Sequence, residues 1–459
     1  MIRTKLQQLF DEFWHIDQIT TVIPLLKKMP VIEVSELLLR IDEGHQLHIL
    51  SGFTPKQQGA IVSDFPLARQ LALFRSAGVK RFALIFENMP SESRADMFPR
   101  LTPEEQTALL PFLSKTVREN VIRLSAYPPE TAGGIMSTDF ATIQQSMTCA
   151  EAMAKIRSDA PSKRTVYYIY VVDEEQKMQG FVTLKDLIMA APSSLVRHML
   201  HQEFVFAYAD EDREKVAQKI EKYDLVAIPV LNRENRLAGI VTHDEAIDII
   251  RVEQTEDMEK FMGIVPDKNE LDYIATSSWK HFKKRAVWII SLAVFGIISG
   301  LIIHGYENVL KNFLILALYM PMVADTGGNS GSQAATVVVR AMALGQVSVK
   351  DWLKILWKEA RISLLLAVCL GILAFLKVLF LSWETPIPEL YSLSRIAFAI
   401  ALALSIQVIT ATIIGAGLPL LVKRFGGDPA VAASPAITTI VDITGLLIYF
   451  GITTLFFTL

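Results

Sequence analysis

Polar and apolar positions follow different rules on either side of residue 285. Beyond it lie long apolar runs at 287–303, 313–324 (continuing to about 344), 362–383, 396–422 and 436–459. Roughly 20 apolar residues carry a helix across a bilayer core. The pattern therefore predicts five spans, the first of them extended to about Tyr306. Within the second run, Pro321 and Gly327-Gly328-Asn329 predict a broken helix. Such a break is tolerated at membrane depth only against protein or a water-filled cavity. Before residue 285 the apolar spacing is short and amphipathic. Thr54-Pro55-Lys56-Gln57 and Thr102-Pro103-Glu104-Glu105 both place Thr at an N-cap, Pro at the first helical position and Gln or Glu two positions later. Cap and side chain then satisfy free backbone donors reciprocally. Repeated short helices over 1–130 predict a small helical solenoid, with an irregular bundle as the alternative.

Residues 137–255 repeat with an offset of 59: Val171…Gly180-Phe181-Val182-Thr183-Leu184-Lys185-Asp186 aligns with Val230…Gly239-Ile240-Val241-Thr242-His243-Asp244-Glu245. Each copy predicts a helix, an apolar strand (166–172; 225–231), a turn, a second strand and a helix. The repeat resembles a tandem pair of cystathionine-β-synthase-type (CBS) domains. Such pairs often bind adenine nucleotides, with a Thr and the Asp three residues later on the ribose, which here implies Thr183 and Asp186. The second copy has Glu245 in place of that Asp, so ATP binding and a purely structural tandem both stay open.

Charge sharpens the division. The chain of 459 residues is 51% hydrophobic and 20% charged, with a formal net charge of −3. Residues 1–285 hold 40 acids and 35 bases, and 286–459 hold 8 acids and 10 bases. A near-neutral balance argues against a nucleic-acid binder. Cys149 and Cys369 alone give neither a disulfide framework nor a tetra-Cys zinc site. Bases cluster before span one (Lys280, Lys283, Lys284, Arg285), between spans two and three (Lys350, Lys354, Lys358, Arg361) and between four and five (Lys423, Arg424). Basic loops mark the cytoplasmic side, so the N-terminal domains are expected in the cytosol and the C-terminus outside. Met1 leads into an amphipathic 6–26 stretch, and no signal peptide is expected.

Three groups of residues invite chemistry. Asp442 lies deep in the last run, one turn beyond Thr438 and Thr439. A carboxylate there costs ~2.5–3.5 kcal/mol on insertion scales, which points to an ion path or to an interhelical hydrogen bond. Asp325, Asn329 and Gln333 punctuate the glycine-rich segment of the second run, supplying hard oxygen donors suited to Mg²⁺ or Ca²⁺. Small-residue helix packing is the competing reading. Asp428, in Gly426-Gly427-Asp428-Pro429, is either a helix cap or part of an inner mouth. The third group is acidic: Glu92 and Asp96, then Asp212, Glu214 and Asp224, then Asp244, Glu245, Asp248, Glu253, Glu256, Asp257 and Glu259. A solvated face and a cation sensor both account for it. His304 is the only histidine after 285, so an intramembrane enzyme lacks its residues.

Over essentially the whole chain these features resemble the MgtE family of bacterial magnesium channels. The resemblance rests on Tyr127-Pro128-Pro129…Thr131-Ala132-Gly133-Gly134-Ile135-Met136, on Gly327-Gly328-Asn329-x-Gly331-x-Gln333, and on Gly427-Asp428-Pro429…Asp442-Ile443-Thr444-Gly445. It implies a helical cytosolic N domain (1–130), an α/β tandem CBS pair (131–258), a connecting plug helix (259–285, with 271–285 at the pore) and an all-α domain of five spans (286–459). It further implies a homodimer in the bacterial cytoplasmic membrane, with a Mg²⁺ pore on its two-fold axis. Asp442 matches the pore aspartate, with Asn329, Gln333, Thr438, Asp325 and Asp428 along the path. Glu92, Asp96, Asp212, Glu214, Asp224, Glu245, Asp248, Glu253, Glu256 and Asp257 match a cytosolic Mg²⁺ sensor that would hold the pore closed. Ser434 and Thr438 depart from some relatives, and Asp325 adds a carboxylate that some relatives lack, which bears on selectivity. A membrane-anchored nucleotide sensor and an ion-coupled exchanger stand as alternatives.

Overall fold

The computed structural model describes residues 22–160, 165–266, 273, 276–387, 391–432 and 434–457. The 6–21 part of the N-terminal amphipathic stretch and the final residues of the last apolar run lie outside them. The chain divides into two compact units, Met1–Glu253 and Gln254–Leu459.

The first unit opens with helices α1 (Val31–Leu38), α2 (Glu43–Leu50), α3 (Pro55–Ser63), α4 (Leu67–Ala77), α5 (Val79–Glu87), α6 (Ser91–Met97), α7 (Pro103–Leu109) and α8 (Lys115–Leu124). The expected capping boxes start α3 and α7: Thr54 and Gln57, and Thr102 and Glu105, bond reciprocally. Each helix packs on the one two places along, α1 on α3, α2 on α4, α3 on α5, α4 on α6, α5 on α7 and α6 on α8. That stagger is the solenoid geometry, closed over a core that includes Leu38, Ile61, Leu73, Phe82 and Phe86.

The repeat follows as α9 (Ala132–Ile135), β1 (Thr142–Ile143), α10 (Cys149–Asp159), β2 (Tyr168–Val172), β3 (Met178–Thr183), α11 (Leu184–Met189), β4 (Ala207–Tyr208), α12 (Arg213–Lys222), β5 (Ala227–Leu231), β6 (Leu237–Thr242) and α13 (His243–Phe261). Two three-stranded sheets, β1-β2-β3 and β4-β5-β6, have the same topology: a parallel pair, then an antiparallel pair with an irregularity at the end of β2 or β5. Strands β2 and β5 start two residues later than the apolar runs that predict them, and the short β1 and β4 add a parallel strand to each copy that the repeat does not predict. The sheets meet through Tyr170, Ala227 and Ile240.

The second unit is built of α14 (Ser278–Gly305), α15 (Glu307–Asn312), α16 (Leu314–Ala343), α17 (Trp352–Leu381), α18 (Leu393–Arg424) and α19 (Ser434–Phe457). Among the described residues four helices are long and apolar enough to cross a membrane: α14, α17 with its leading turn, α18 and α19. Helix α16 is as long as α17 but carries the polar stretch around Asp325–Gln333, which lowers its apolarity below theirs. The expected plug region is not a separate helix among the described residues. Leu271, Asp272, Ile274 and Ala275 lie outside them, and residues 278–285 are the first turns of α14.

The expected break in the second span does not occur. Helix α16 runs unbroken through Pro321 and both glycines. Its glycines serve close packing instead: a Cβ on Gly327 would stand 2.5 Å from Gln407 Nε2, and one on Gly415 of α18 would stand 2.0 Å from the Gly331 carbonyl oxygen. Backbones in lipid approach this closely only over small residues. Gly415→Val should therefore lower unfolding stability in detergent by ~3 kcal/mol or more, since overpacking here meets backbone and not a movable side chain. A thermal melt unchanged from wild type would contradict this crossing.

Candidate functional site

The crossing of α16 and α19 places oxygen donors at one spot. Pro321, Ala324, Asp325, Gly328 and Asn329 from α16, with Thr438 and Asp442 from α19, line a cavity of about 270 Å³. Gly328 makes it: a Cβ there would stand 3.0 Å from Thr438 Cγ2. Below the cavity, hydroxyls tie the helices together. Ser434 Oγ of α19 donates to Ser332 Oγ of α16 at 3.0 Å, the Ser332 and Thr438 hydroxyls lie 3.4 Å apart, and Ser330 of α16 shares a bond of 2.7 Å with Thr412 of α18, while Thr438 Oγ1 donates within α19 to the Ser434 carbonyl at 3.0 Å. Neither the Asp325 nor the Asp442 carboxylate has a hydrogen-bond partner among the described residues, so the interhelical bond considered for Asp442 is not formed there. Carboxylates, an amide and a hydroxyl around one cavity suit a hard divalent cation that keeps much of its water shell.

Gln333 does not line this cavity. It is exposed on α16, one turn beyond Asn329, which is one turn beyond Asp325, and all three are exposed. They form one polar row along a helix of otherwise apolar character.

Asp428 sits in the turn before α19. One carboxylate oxygen caps that turn through the Ala430 N–H at 2.9 Å, and the other accepts from Lys260 Nζ at 2.8 Å. Lys260 also reaches Glu256 Oε1 at 2.8 Å. Burial raises the Asp428 pKa, but the bonds from Lys260 and Ala430 outweigh it and leave it below the usual carboxylate range. Burial lowers Lys260, and its two carboxylate partners more than reverse that. Close by, Lys284 Nζ reaches Glu259 Oε1 at 2.8 Å, and the Val265 N–H donates to the Lys284 carbonyl at 3.0 Å. Sequence reasoning counted the acids of this run and passed over Lys260, because a lysine in a charged helix reads as solvated.

The other acids are dispersed over α6, α12 and α13, and no group of three or more His, Cys, Asp or Glu poised for a metal occurs among the described residues. In the first unit Glu92 is buried, and its charge acts on buried Arg94. Asp96 is exposed, yet the protein around its carboxyl, then the Glu92 charge, push its pKa up to about 6 against Arg100 and Arg213. Solvent screening keeps this a small stability term. Glu253 pairs with Arg213 at 2.8 Å, and Arg213 also holds Glu130 at 2.9 Å. Asp212 caps α12 through the Glu214 and Lys215 N–H groups, Glu214 accepts from Gln218 at 3.0 Å, and Asp224 has a left-handed φ of 50°. Glu245 lies in the first turn of α13, Asp248 stands 3.7 Å from Arg251, and Asp257 is half-buried on the same helix.

In the CBS pair, aromatic side chains Tyr168, Tyr170, Phe181, Phe204 and Tyr223, with Glu203, line a cleft of about 430 Å³. Thr183 and Asp186 are not among its lining residues. They form the capping box of α11, with Thr183 Oγ1 donating to Asp186 Oδ2 at 2.7 Å, and His201 Nε2 lies 3.0 Å from the same oxygen.

Apolar helices around a carboxylate-bearing cavity, on a chain that also holds a CBS pair, define a membrane transport protein. The family model described as "Divalent cation transporter" matches residues 320–452, that of the MgtE intracellular N domain matches 29–130, and that of the CBS domain matches 132–193 and 196–252. The chain is similar to the magnesium transporter MgtE of Thermus thermophilus, 35% identical over 74% of this chain and 73% of the relative. It is likewise similar to the magnesium transporter MgtE of Bacillus subtilis, 30% identical over 94% of this chain and 93% of the relative. Among solved structures, that of the cytosolic domain of the Mg²⁺ channel MgtE in complex with ATP matches with a TM-score of 0.50 and 27% identity, covering 54% of this chain and 99% of that one. The chain belongs to the MgtE family of divalent cation transporters.

Proposed function

We propose that this protein carries Mg²⁺ into the cell as a homodimer, down its electrochemical gradient, through a pore of which the Asp325–Asn329–Thr438–Asp442 cavity is one subunit's wall. The observation that carries the reading is the polar row Asp325, Asn329 and Gln333, exposed on α16 within an apolar bundle. Such a row is costly against lipid, and a second copy across a two-fold axis would enclose it in water. Two facing Asp442 carboxylates supply the field that draws a divalent ion. Moving two charges through 100 mV releases about 4.6 kcal/mol, twice the single-charge value, so inflow needs no hydrolysis. Mg²⁺ binds preferentially to a closed state, in this reading, through Glu92, Asp96, Asp212, Glu214, Asp224, Glu245, Asp248, Glu253, Glu256 and Asp257, and so shuts the pore when cytosolic Mg²⁺ is high. ATP is the ligand of the CBS pair. The aromatic cleft offers stacking surface, and Thr183 and Asp186 offer ribose partners only if their capping box yields.

The test is uptake by the purified full-length protein in liposomes, without added nucleotide and with an imposed inside-negative potential. Mg²⁺ should enter at a rate that rises with the potential and falls when Mg²⁺ is also present on the face bearing the N-terminal domains. Uptake that requires a counter-gradient of protons or sodium would replace conduction with exchange.

A further inference from the structure

Gln407 is a polar side chain that neither the cavity nor the acidic clusters account for. It lies in the middle of α18 and is fully buried. Its Nε2 donates to the Val441 carbonyl of α19 at 2.8 Å, and its Oε1 has no partner among the described residues. Two glycines make room for the amide. A Cβ on Gly327 of α16 would stand 2.5 Å from Nε2, and one on Gly445 of α19 would stand 2.6 Å from the same atom. Three helices thus converge on one amide. An apolar side chain of similar volume would fill this space without leaving a buried acceptor unpaired, a cost that a packing role alone does not explain.

The bond acts next to Asp442. The Val441 carbonyl, already within reach of the Thr444 hydroxyl at 3.0 Å, takes the amide as a second side-chain donor. Successive residues of a helix point about 100° apart. Fixing Val441 and Gly445 against Gln407 therefore fixes the rotation of α19 that turns Thr438 and Asp442 toward the cavity. We propose that Gln407 is the positioning residue for the Asp442 carboxylate, pinning α19 so that the carboxylate faces the ion path. The proposal rests on the reading of Asp442 as the pore aspartate.

Mg²⁺ influx into proteoliposomes, measured against external Mg²⁺, tests it alongside thermal unfolding of the same full-length variants. Gln407→Met keeps volume and removes the donor. Gly445→Ala leaves the amide in place but pushes its flexible end off the Val441 carbonyl. Each is expected to raise half-saturating Mg²⁺ roughly five-fold, the factor a neutral hydrogen bond is worth, with little change in unfolding temperature. The double variant should shift it no further than the larger single. Half-saturation unchanged in both, or a fall in unfolding temperature with half-saturation held, overturns the proposal and leaves Gln407 a packing residue. If Gln407→Met does not fold, Gly445→Ala decides alone. Asp442→Ala, run in parallel, separates the failures. Intact flux there removes the pore reading itself, whereas lost flux with wild-type behaviour at Gln407 and Gly445 removes only the positioning.

Discussion

Asp442→Ala should bring Mg²⁺ influx in proteoliposomes to background, a loss of at least ~100-fold, while the protein remains folded and of unchanged oligomeric state. The size follows from charge. Within a low-dielectric span each carboxylate contributes a field far stronger than the same group in water, and the proposed dimer would lose two at once. The stability half of the prediction is the sharper one. A carboxylate at membrane depth is costly, and that of Asp442 accepts no hydrogen bond from the described residues to offset the cost. Its removal should leave the unfolding temperature in detergent equal or higher. Asp325→Ala should have the same sign with a smaller loss, because Asp325 lines the same cavity from an exposed position on α16. Flux that survives Asp442→Ala would remove the cavity from the ion path. A falling unfolding temperature would show instead that Asp442 is held as a structural partner.

What could be read in advance tracks how local the determining physics is. Thr54 and Thr102 announce their helices because a capping box is decided within four residues. The repeat at an offset of 59 announces the same pair of strands in each copy because 166–172 and 225–231 are continuous apolar runs, whereas the two-residue strands β1 and β4 that complete the sheets are too short to leave such a run. The glycines of α16 show where local inference stops. Gly327 and Gly331 in isolation are helix breakers, and only the neighbour decides that they are contact points, here Gln407 and the backbone at Gly415. The cavity was half legible: Asp325, Asn329, Thr438 and Asp442 meet, while Gln333, at the same helical spacing, falls outside it. Gln407 carries no sequence signal beyond being the one amide in a long apolar run, and which helix it faces is set by the packing of α16 and α19 against its own. Lys260 was hidden for a different reason. Its partner Asp428 is 168 residues away.

In the proposed gating, Lys260→Met should make closure by cytosolic Mg²⁺ more sensitive, lowering the half-inhibitory concentration several-fold. The ammonium stands 2.8 Å from both Glu256 and Asp428, so it already occupies the position between two carboxylates that a divalent cation would take. Removing it leaves those carboxylates facing each other, and a divalent ion then gains their attraction without displacing a tethered charge. Lys260 is about a quarter exposed and its partners about a third, so screening limits the effect to ~1 kcal/mol, roughly five- to ten-fold. The direction of the pKa shifts makes the effect independent of pH near neutrality. A raised lysine contributes its full stabilisation below its unfolded value of about 10.4 and loses it only above the folded one. A lowered aspartate contributes above its unfolded value of about 3.9 and loses it only as pH falls through the folded one. Both groups are ionised from about pH 5 to 9, and the wild-type half-inhibitory concentration should carry no step from this pair in that range. Glu256→Gln supplies the opposite sign, weakening inhibition by removing one carboxylate from the position. Should Lys260→Met instead hold the pore open at every Mg²⁺ concentration, the ammonium is a latch of the closed state and not a competitor for it. The two roles predict shifts in opposite directions, so one titration of flux against cytosolic Mg²⁺ decides between them.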